Sequence, residues 1–458
     1  MAEHVHSRHS GGNRNPVKTS SWTPASPLTG TSAGETTSSK ATERDRGDRI
    51  DLVVFSSLFP SAARPGAGLF IRERMFRVAR HRPLAVVSPQ PWFPGQSLIR
   101  LLRPGYRPQA PALEIQQGIR VYHPRFLSVP GLLRQFDGWS MALASVGLMR
   151  RLRRQGARLI DAHFAFPDGE AATRLGRWVD LPVTLTLRGT EVPHSRQATL
   201  RPRLVRTLKS AARVFSVSDS LRRLAIELGA SAEKTEVVGN GVDTACFHPV
   251  DRAAARRKYA LPPDARVLVS VGALVERKGM HRVIDVMPEL LRHHPDLHYL
   301  IVGGASPEGD NRAELSAQVA RLGLGERVHF LGALPPDELK WPLSASDVFV
   351  LATRNEGWAN VFLEAMACGL PVVTTDVGGN AEVVCRDALG TIVPFGDAVA
   401  LQQALDEALN KTWDRSAILD YARANQWDRR VAQLLQAFAP LLAGTSTNIP
   451  AASAAAKR

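Results

Sequence analysis

Two glutamates, Glu356 and Glu364, lie at the start of a short apolar segment and two turns further along it. The surrounding stretch, DVFVLATRNEGWANVFLEAMACGLPVVTTD, predicts a strand, a loop, a helix from about residue 359 to 368 and a second strand. A helix N terminus after a strand offers free N–H groups and the positive end of a dipole, which suits phosphate. The residues expected at this phosphate seat are Gly357, Trp358, Ala359, Asn360 and Val361.

The two carboxylates fit the two ends of one ligand. Helical side chains lean toward the N terminus, so Glu364 can reach back and accept hydrogen bonds from the cis-diol of a ribose. Glu356, ahead of the helix, can meet hydroxyls on the other side of the phosphates. A nucleotide sugar would explain both residues. The alternative, in which Glu356 caps the helix and Glu364 is a solvated helix residue, fits the spacing equally well.

A pair of cations follows an earlier strand in SVGALVERKG, residues 270–279. Gly272 lies in the predicted turn, and Arg277 with Lys278 could neutralise a departing diphosphate. On its own, an Arg-Lys pair before a glycine is also typical of an ordinary surface at the start of a helix.

His163 ends the predicted strand in LIDAHFAFPDG. Asp161 lies on the same face of that strand, yet no third ligand stands at a spacing suitable for metal, and no D-x-D motif occurs in the sequence. A lone histidine at a strand end is most often simply packed. We therefore expect no metal and no other cofactor.

Two other strand ends carry weaker signals. Gly66 and Gly68 follow the first predicted strand and would let the backbone approach a ligand closely. Arg188 ends LTLRGTEV, where it is expected either on the acceptor side of a cleft or as a solvated turn residue.

The elements that position these residues alternate along the chain. From Asp51 onward, short β-branched runs typical of strands alternate with helical stretches. The turn-rich segment VGNGVDTACFHPVD interrupts this alternation, which then continues to the second predicted sheet. This rhythm predicts two doubly wound α/β domains with parallel sheets, and ligands bind such sheets at the carboxyl ends of their strands. Two facing domains would make one cleft, with a hinge at residues 239–241.

Charge is distributed unevenly. Residues 51–240 contain 29 Lys and Arg against 13 Asp and Glu, whereas residues 241–458 contain 22 against 25. The basic half indicates an anionic partner, such as nucleic acid, a membrane surface or a phosphate-bearing substrate, although solvated arginine faces would also account for any single run. Aromatic residues are 6 % of the chain and do not interleave the arginine runs, so we expect no nucleic acid.

The segment EGWANVFLEAMACGLPVVTTDVGGNAEVV resembles the E-x7-E signature of retaining GT-B glycosyltransferases of family GT4. The resemblance extends from about residue 51 to 442. It implies that Glu364 holds the donor ribose, that Glu356 faces the donor sugar, and that His163 reaches that sugar from the acceptor domain. The family pattern has an arginine where this chain has Ala273, and Arg277 is the residue expected to replace it.

Composition, the alternation of strands and helices, the uneven charge and the resemblance together predict the organisation of the chain and its reaction. The predicted parts are a disordered tail (1–48), an acceptor domain (49–238), a donor domain (242–425), a helix packed back on the acceptor domain (426–443) and a second disordered tail (444–458). The predicted activity moves a sugar from a UDP- or GDP-sugar to a lipid-linked or polysaccharide acceptor. It would take place in the cytoplasm at the inner face of the cell membrane, which the basic half would contact. The alternative is a non-catalytic protein of the same fold, or one that binds through its basic surface.

Overall fold

The computed structural model describes residues 49–103, 106–131, 134–306 and 308–444. The predicted tail at residues 1–48 and residues 445–458 of the second predicted tail lie outside the described residues. Gly444, the first residue of that second tail, is the last residue of a helix instead. The described residues form two large sheets and one small sheet, with helices packed around them.

The first large sheet has the strand order β10-β9-β8-β7-β1-β2-β5-β4. Its strands are parallel except at the β4–β5 edge, which is antiparallel. β3 and β6 form the separate two-stranded sheet. We call the residues up to 240 the first half of the chain and those from 241 onward the second half. The strands of the first half are β1 Leu52–Phe55, β2 Leu84–Val87, β3 Gln90–Trp92, β4 Leu113–Gln116, β5 Ile119–Tyr122, β6 Arg125–Leu127, β7 Leu159–His163, β8 Val183–Leu187, β9 Arg213–Ser216 and β10 Thr235–Val237. The helices are α1 Leu69–Ala79, α2 Gln96–Leu102, α3 Asp137–Arg154, α4 Glu170–Val179, α5 Glu191–Ser195, α6 Arg201–Ser210 and α7 Asp219–Glu227.

The second large sheet is wholly parallel, with the order β13-β12-β11-β14-β15-β16. Its strands are β11 Val267–Val271, β12 His298–Val302, β13 Val328–Gly332, β14 Val348–Leu351, β15 Val372–Thr375 and β16 Gly390–Val393. The helices that follow the linker are α8 Arg252–Lys258, α9 Met280–His293, α10 Arg312–Arg321, α11 Lys340–Ala345, α12 Asn360–Ala367, α13 Asn380–Val383, α14 Ala398–Asn410, α15 Arg415–Ala424 and α16 Trp427–Gly444. The parallel α/β prediction is thus confirmed, with one antiparallel edge strand that it did not include.

Both faces of the first sheet are buried, which explains why its strands read as continuous apolar runs. In β1, Val53 and Phe55 belong to the hydrophobic core on one face, while Leu52 and Val54 belong to the core on the other. The second core also contains α1 and apolar residues of α16 from the far end of the chain, namely Val431, Leu434, Ala437, Phe438 and Leu442. Helix α16 therefore covers the first sheet although it follows the second one in sequence.

The chain passes between the two sheets twice, at neighbouring points. The first passage runs through Gly241 and Val242, and the second through Asn425 and Trp427. Val242 N donates to Asn425 O at 3.1 Å, and Trp427 N donates to Val242 O at 3.3 Å. A Cβ on Gly241 would lie 2.6 Å from the Cα of Trp427, so only glycine fits between the two passages.

Candidate active site

A cavity of about 370 Å³ lies between the carboxyl ends of the two large sheets. Arg188 and Val217 line it directly after β8 and β9 of the first sheet. Glu308 and Glu356 line it from the loops after β12 and β14 of the second sheet. The cavity thus occupies the position at which doubly wound sheets bind ligands.

Glu356 holds two cations at this cavity. Its Oε1 accepts a hydrogen bond from Lys278 Nζ at 2.6 Å and lies 3.2 Å from Arg277 Nη1. Thr353 Oγ1 donates to the same oxygen at 3.2 Å. Arg277 is also paired with Glu308, Nη2 to Oε1 at 2.8 Å. Because the side chain of Glu356 is only 10 % exposed, these pairs hold their geometry with little access for water.

The predicted phosphate-binding residues at the start of α12 pack against the first sheet. A Cβ on Gly357 would lie 2.3 Å from Arg188 O and 3.2 Å from the Cα of Gly189. The two backbones therefore touch, and a side chain at position 357 would push them apart. Helix α12 begins at Asn360, one residue after the predicted start, and Trp358 and Asn360 line the cavity together with Gly357.

His163 lies behind Arg188 rather than at the cavity wall. Its ring is fully buried, and its Nδ1 accepts from Arg188 Nε at 3.3 Å. Nε2 lies 3.5 Å from Asp161 Oδ2. Burial, together with the charges of Arg188 and Arg74, lowers the pKa of His163 well below its usual value, so the ring is neutral. Burial also raises the pKa of Asp161 to about 6. Arg188 therefore stands between the predicted histidine and the cavity.

Asn240 in the linker connects both sheets through its side chain. Its Oδ1 accepts from Arg74 Nη2 at 3.0 Å and from Arg188 Nη1 at 3.1 Å. Its Nδ2 donates to Asn360 Oδ1 at 2.7 Å. One amide thus ties two arginines of the first half to the first residue of α12, and it lines the cavity as well.

Glu382 makes a second connection between the two halves of the chain. Its carboxylate accepts hydrogen bonds from the backbone N–H groups of Asp219, at 2.5 Å, and Ser220, at 3.0 Å. These groups belong to the first turn of α7, which carries the positive end of the helix dipole. A glutamate of the second half therefore caps a helix of the first half.

Glu364 lies on α12, outside the wall of the 370 Å³ cavity. Its side chain has no hydrogen-bond or ion-pair partner among the described residues, and Cys246 and Cys368 lie close enough to interact with its charge. Burial alone raises the pKa of Glu364 to about 7. Glu364 is half-buried, and a raised pKa on such a carboxylate makes it a candidate for a functional group.

The predicted residues thus fall into three groups. The structure brings Arg188, Arg277, Glu356, Gly357, Trp358 and Asn360 to the wall of one cavity. Lys278 reaches that wall through Glu356, and its stem packs over Gly272. His163, Gly66, Gly68, Ala359, Val361 and Glu364 are not part of the wall.

Sequence reasoning did not identify several wall residues as part of a site. The sequence predicted Asn240 only as part of a hinge, and it predicted no role at a site for Phe70, Glu308 or Val217. Glu308 and Val217 follow the strands β12 and β9, so the rule on strand ends could have identified them. Phe70, at the start of α1, carries no comparable signal in the sequence; its ring lies 4.8 Å from the guanidinium of Arg188.

Neither a metal cluster nor a membrane span is apparent in the part of the chain that the structure describes. There, no three His, Cys, Asp or Glu side chains are grouped so that they could hold a metal ion. No helix of that part is both long and apolar enough to cross a membrane.

Two family models match the chain. The model described as "Glycosyl transferases group 1" matches residues 251–425, which contain Glu356, Glu364 and Lys278. The model described as "Glycosyltransferase Family 4" matches residues 99–245, which contain His163 and Arg188.

Among curated proteins, TuaC of Bacillus subtilis (strain 168), named for teichuronic acid biosynthesis, is 30 % identical over 371 residues, covering 79 % of this chain and 89 % of TuaC. The D-inositol 3-phosphate glycosyltransferase of Corynebacterium urealyticum is 30 % identical over 356 residues, covering 73 % of this chain and 84 % of that protein.

Two solved structures share the fold. Sucrose-phosphate synthase from Thermosynechococcus elongatus superposes with a TM-score of 0.70 at 21 % identity, covering 86 % of this chain and 100 % of that one. HepE from Anabaena, solved in complex with UDP, superposes with a TM-score of 0.65 at 20 % identity, covering 85 % and 100 %. Both alignments span both large sheets.

Proposed function

Because the chain belongs to the glycosyl transferases group 1 family, the GT4-type GT-B glycosyltransferases, we propose that it transfers a sugar from a nucleoside diphosphate sugar with retention at the anomeric carbon. The observation that carries the proposal is the group of Glu356, Lys278 and Arg277 beside the first turn of α12. Two cations and a helix N terminus suit a diphosphate, and the carboxylate between them suits a sugar hydroxyl.

In the proposed reaction the bond between the anomeric carbon and the diphosphate oxygen breaks, and the acceptor oxygen forms a new bond on the same face of the sugar. The acceptor proton passes to the departing phosphate oxygen, so neither a protein nucleophile nor a general base is required. Lys278, Arg277 and the amides from Gly357 onward stabilise the negative charge that develops on the diphosphate. Arg277 supplies the second cation that Ala273 cannot provide.

The two glutamates have different roles in this proposal. Glu356 holds a hydroxyl of the donor sugar near the breaking bond, and Glu364 accepts hydrogen bonds from the ribose. His163 acts through Arg188, whose guanidinium it orients toward the cavity. The acceptor approaches from the first sheet (49–238), and the donor rests on the second (242–425).

We propose that the acceptor is a lipid-linked or polysaccharide chain at the cytoplasmic face of the cell membrane. Support comes from the name of TuaC, which refers to teichuronic acid biosynthesis. The UDP bound in HepE supports a nucleoside diphosphate donor. The excess of Lys and Arg in residues 51–240 favours attachment to anionic lipid, since each such residue near the surface adds about 1 kcal/mol.

Donor binding and transfer can be tested separately. A thermal-shift screen against UDP-, GDP- and ADP-sugars identifies the donor, and a transfer assay with membrane extract identifies the acceptor. Glu356→Gln should nearly abolish transfer while the donor still shifts the melting temperature. Glu364→Gln should mainly weaken that shift. NMR of the product reads the anomeric configuration, and an inverted product, or full activity in both variants, would refute the proposal.

A further inference from the structure

Helix α2 exposes its apolar side to water. Leu98, Leu101 and Leu102 are 67 %, 80 % and 87 % exposed, among the highest values of the large hydrophobic residues that the structure describes. Their spacing of three and four residues puts them on one side of the helix. A surface helix of a globular protein normally buries that side, so this one has the reverse orientation.

The polar residues of α2 fix this orientation from the inner side. Arg100 donates from Nη2 to Arg107 O at 2.7 Å and from Nε to Tyr106 O at 3.1 Å. Gln96, which is buried, donates from Nε2 to Arg107 O at 3.2 Å. Three hydrogen bonds therefore hold the helix with its leucines outward, and rotating it to bury them would break all three.

Two further apolar side chains are exposed on the small β3–β6 sheet, which Arg107 joins to α2. Trp92 and Leu127 are direct partners in the small β3–β6 sheet and are 38 % and 54 % exposed. The carbonyl oxygen of Arg107 accepts the hydrogen bonds from Gln96 and Arg100 of α2. The side chain of Arg107 also donates from Nη1 to Ser128 O at 2.8 Å, one residue after Leu127. We call Trp92, Leu98, Leu101, Leu102 and Leu127 the apolar wedge.

The positive charge around the apolar wedge favours an anionic lipid bilayer over a second copy of the chain as its binding partner. Arg103 and Arg125, both exposed, lie beside the wedge in sequence, and the half of the chain that carries it has 29 Lys and Arg against 13 Asp and Glu. A second copy of the chain would bring two basic halves together, which like charges oppose. An anionic bilayer attracts the arginines, accepts leucines into its acyl region and favours tryptophan at its interface.

We propose that the apolar wedge inserts into an anionic lipid bilayer and that the exposed arginines beside it bind lipid phosphates. The inference rests on the proposed function, because a membrane-borne acceptor gives the enzyme a reason to dock. It adds the segment that enters the lipid, and it attributes part of the affinity to apolar insertion that salt does not screen.

Vesicle flotation tests the wedge directly. The triple variant Leu98→Ser, Leu101→Ser, Leu102→Ser is compared with wild type on vesicles of phosphatidylglycerol and phosphatidylcholine, at low salt and at high salt. We expect the triple variant to lose about tenfold or more of its vesicle partition, with the larger loss at high salt, where only insertion retains wild type. Val399→Ser, which changes a 64 % exposed apolar residue of the second half, should bind as wild type does.

Insertion depth provides a second measurement. Leu101→Trp should raise the fraction of tryptophan fluorescence quenched by brominated lipid above that of wild type, whose Trp92 already lies in the wedge, whereas Val399→Trp should not raise it. Equal flotation of wild type and the triple variant, or no difference in quenching, would overturn the inference. So would a change in oligomeric mass of the triple variant with unchanged vesicle binding, because the surface would then be an interface between copies.

The test also separates this inference from the proposed function. The nucleotide-sugar thermal shift does not require lipid and should be the same in the triple variant and in wild type. If wild type transfers sugar but does not float, only the wedge is refuted. If it floats through the wedge but transfers no sugar, only the proposed function is refuted.

Discussion

Replacing Glu364 by Gln should stabilise the folded protein while it weakens donor binding. Glu364 is a carboxylate without a hydrogen-bond or ion-pair partner among the described residues, and burial raises its pKa to about 7, against an ordinary value of 4.5. At neutral and higher pH the fold must therefore keep a negative charge on a half-buried side chain that has no protein partner within the described part of the chain. Gln has nearly the same shape and carries no charge, so the variant avoids this cost.

The size and pH dependence of the effect follow from the raised pKa. Below pH 4.5 the carboxyl is protonated in both the folded and the unfolded chain, and the stabilising contribution of the neutral form is fully present. As the pH rises through about 7 this contribution is lost, because the unfolded chain releases its proton first. Each pKa unit corresponds to about 1.4 kcal/mol, so Glu364→Gln should gain at most about 3 kcal/mol at pH 8 and almost nothing at pH 4.

Urea denaturation followed by tryptophan fluorescence at pH 4 and pH 8 measures this difference. Glu407→Gln, at an exposed position of α14, is the matched control and should show no comparable gain. If Glu364→Gln were as stable as wild type at pH 8, or less stable, the carboxylate would have to be paired or hydrated, and the argument would fail. If the variant were stabilised but still bound the donor normally, the destabilising effect of the charge on Glu364 would be supported, and the assignment of Glu364 to the ribose would be refuted.

Three other substitutions test the cavity. Lys278→Met should lower kcat/KM by about a hundredfold to a thousandfold, because it removes a charge at the leaving group, while Lys258→Met, which removes an ion pair outside the cavity wall, should leave it unchanged. Arg277→Ala should be similarly impaired, and adding Ala273→Arg should restore much of the activity; no rescue would mean that the two positions are not equivalent. Glu382→Ala should lower kcat/KM about tenfold in steady-state assays, because it removes the hydrogen bonds that hold the first turn of α7 against the second half of the chain. Wild-type kinetics in this variant would show that these hydrogen bonds do not contribute to activity.

The large strands could be predicted because burial on both faces makes them continuous apolar runs, as in LVVF of β1. The short strands could not. β3 reads QPW and β6 reads RFL, and each exists only through pairing with the other across more than thirty residues. The β4–β5 hairpin has a sequence signal, because Gln117-Gly118 separates LEIQ from IRVY and glycine favours a turn. In the structure both residues have positive φ, as a two-residue hairpin turn requires.

At the site, the loop that carries Glu356 and the α12 helix could be predicted from local sequence. The partners of Glu356 could not, because Lys278 and Arg277 come from a different strand end and meet it only through the order of strands in the sheet. The placement of Arg188 between His163 and the cavity also depends on packing between strands. Sequence therefore identified many of the residue types and strand ends, and the tertiary fold determined which of them meet.

The two neighbouring chain passages at Val242 and Trp427 limit how the halves of the enzyme can move. A single linker would leave the second sheet free to swivel about the linker axis. Two passages joined by hydrogen bonds remove that degree of freedom and leave mainly rotation about the line through both points. Any opening of the cleft is then restricted mainly to that rotation. Cutting the chain at one passage would release the swivel without altering any residue of the cavity wall.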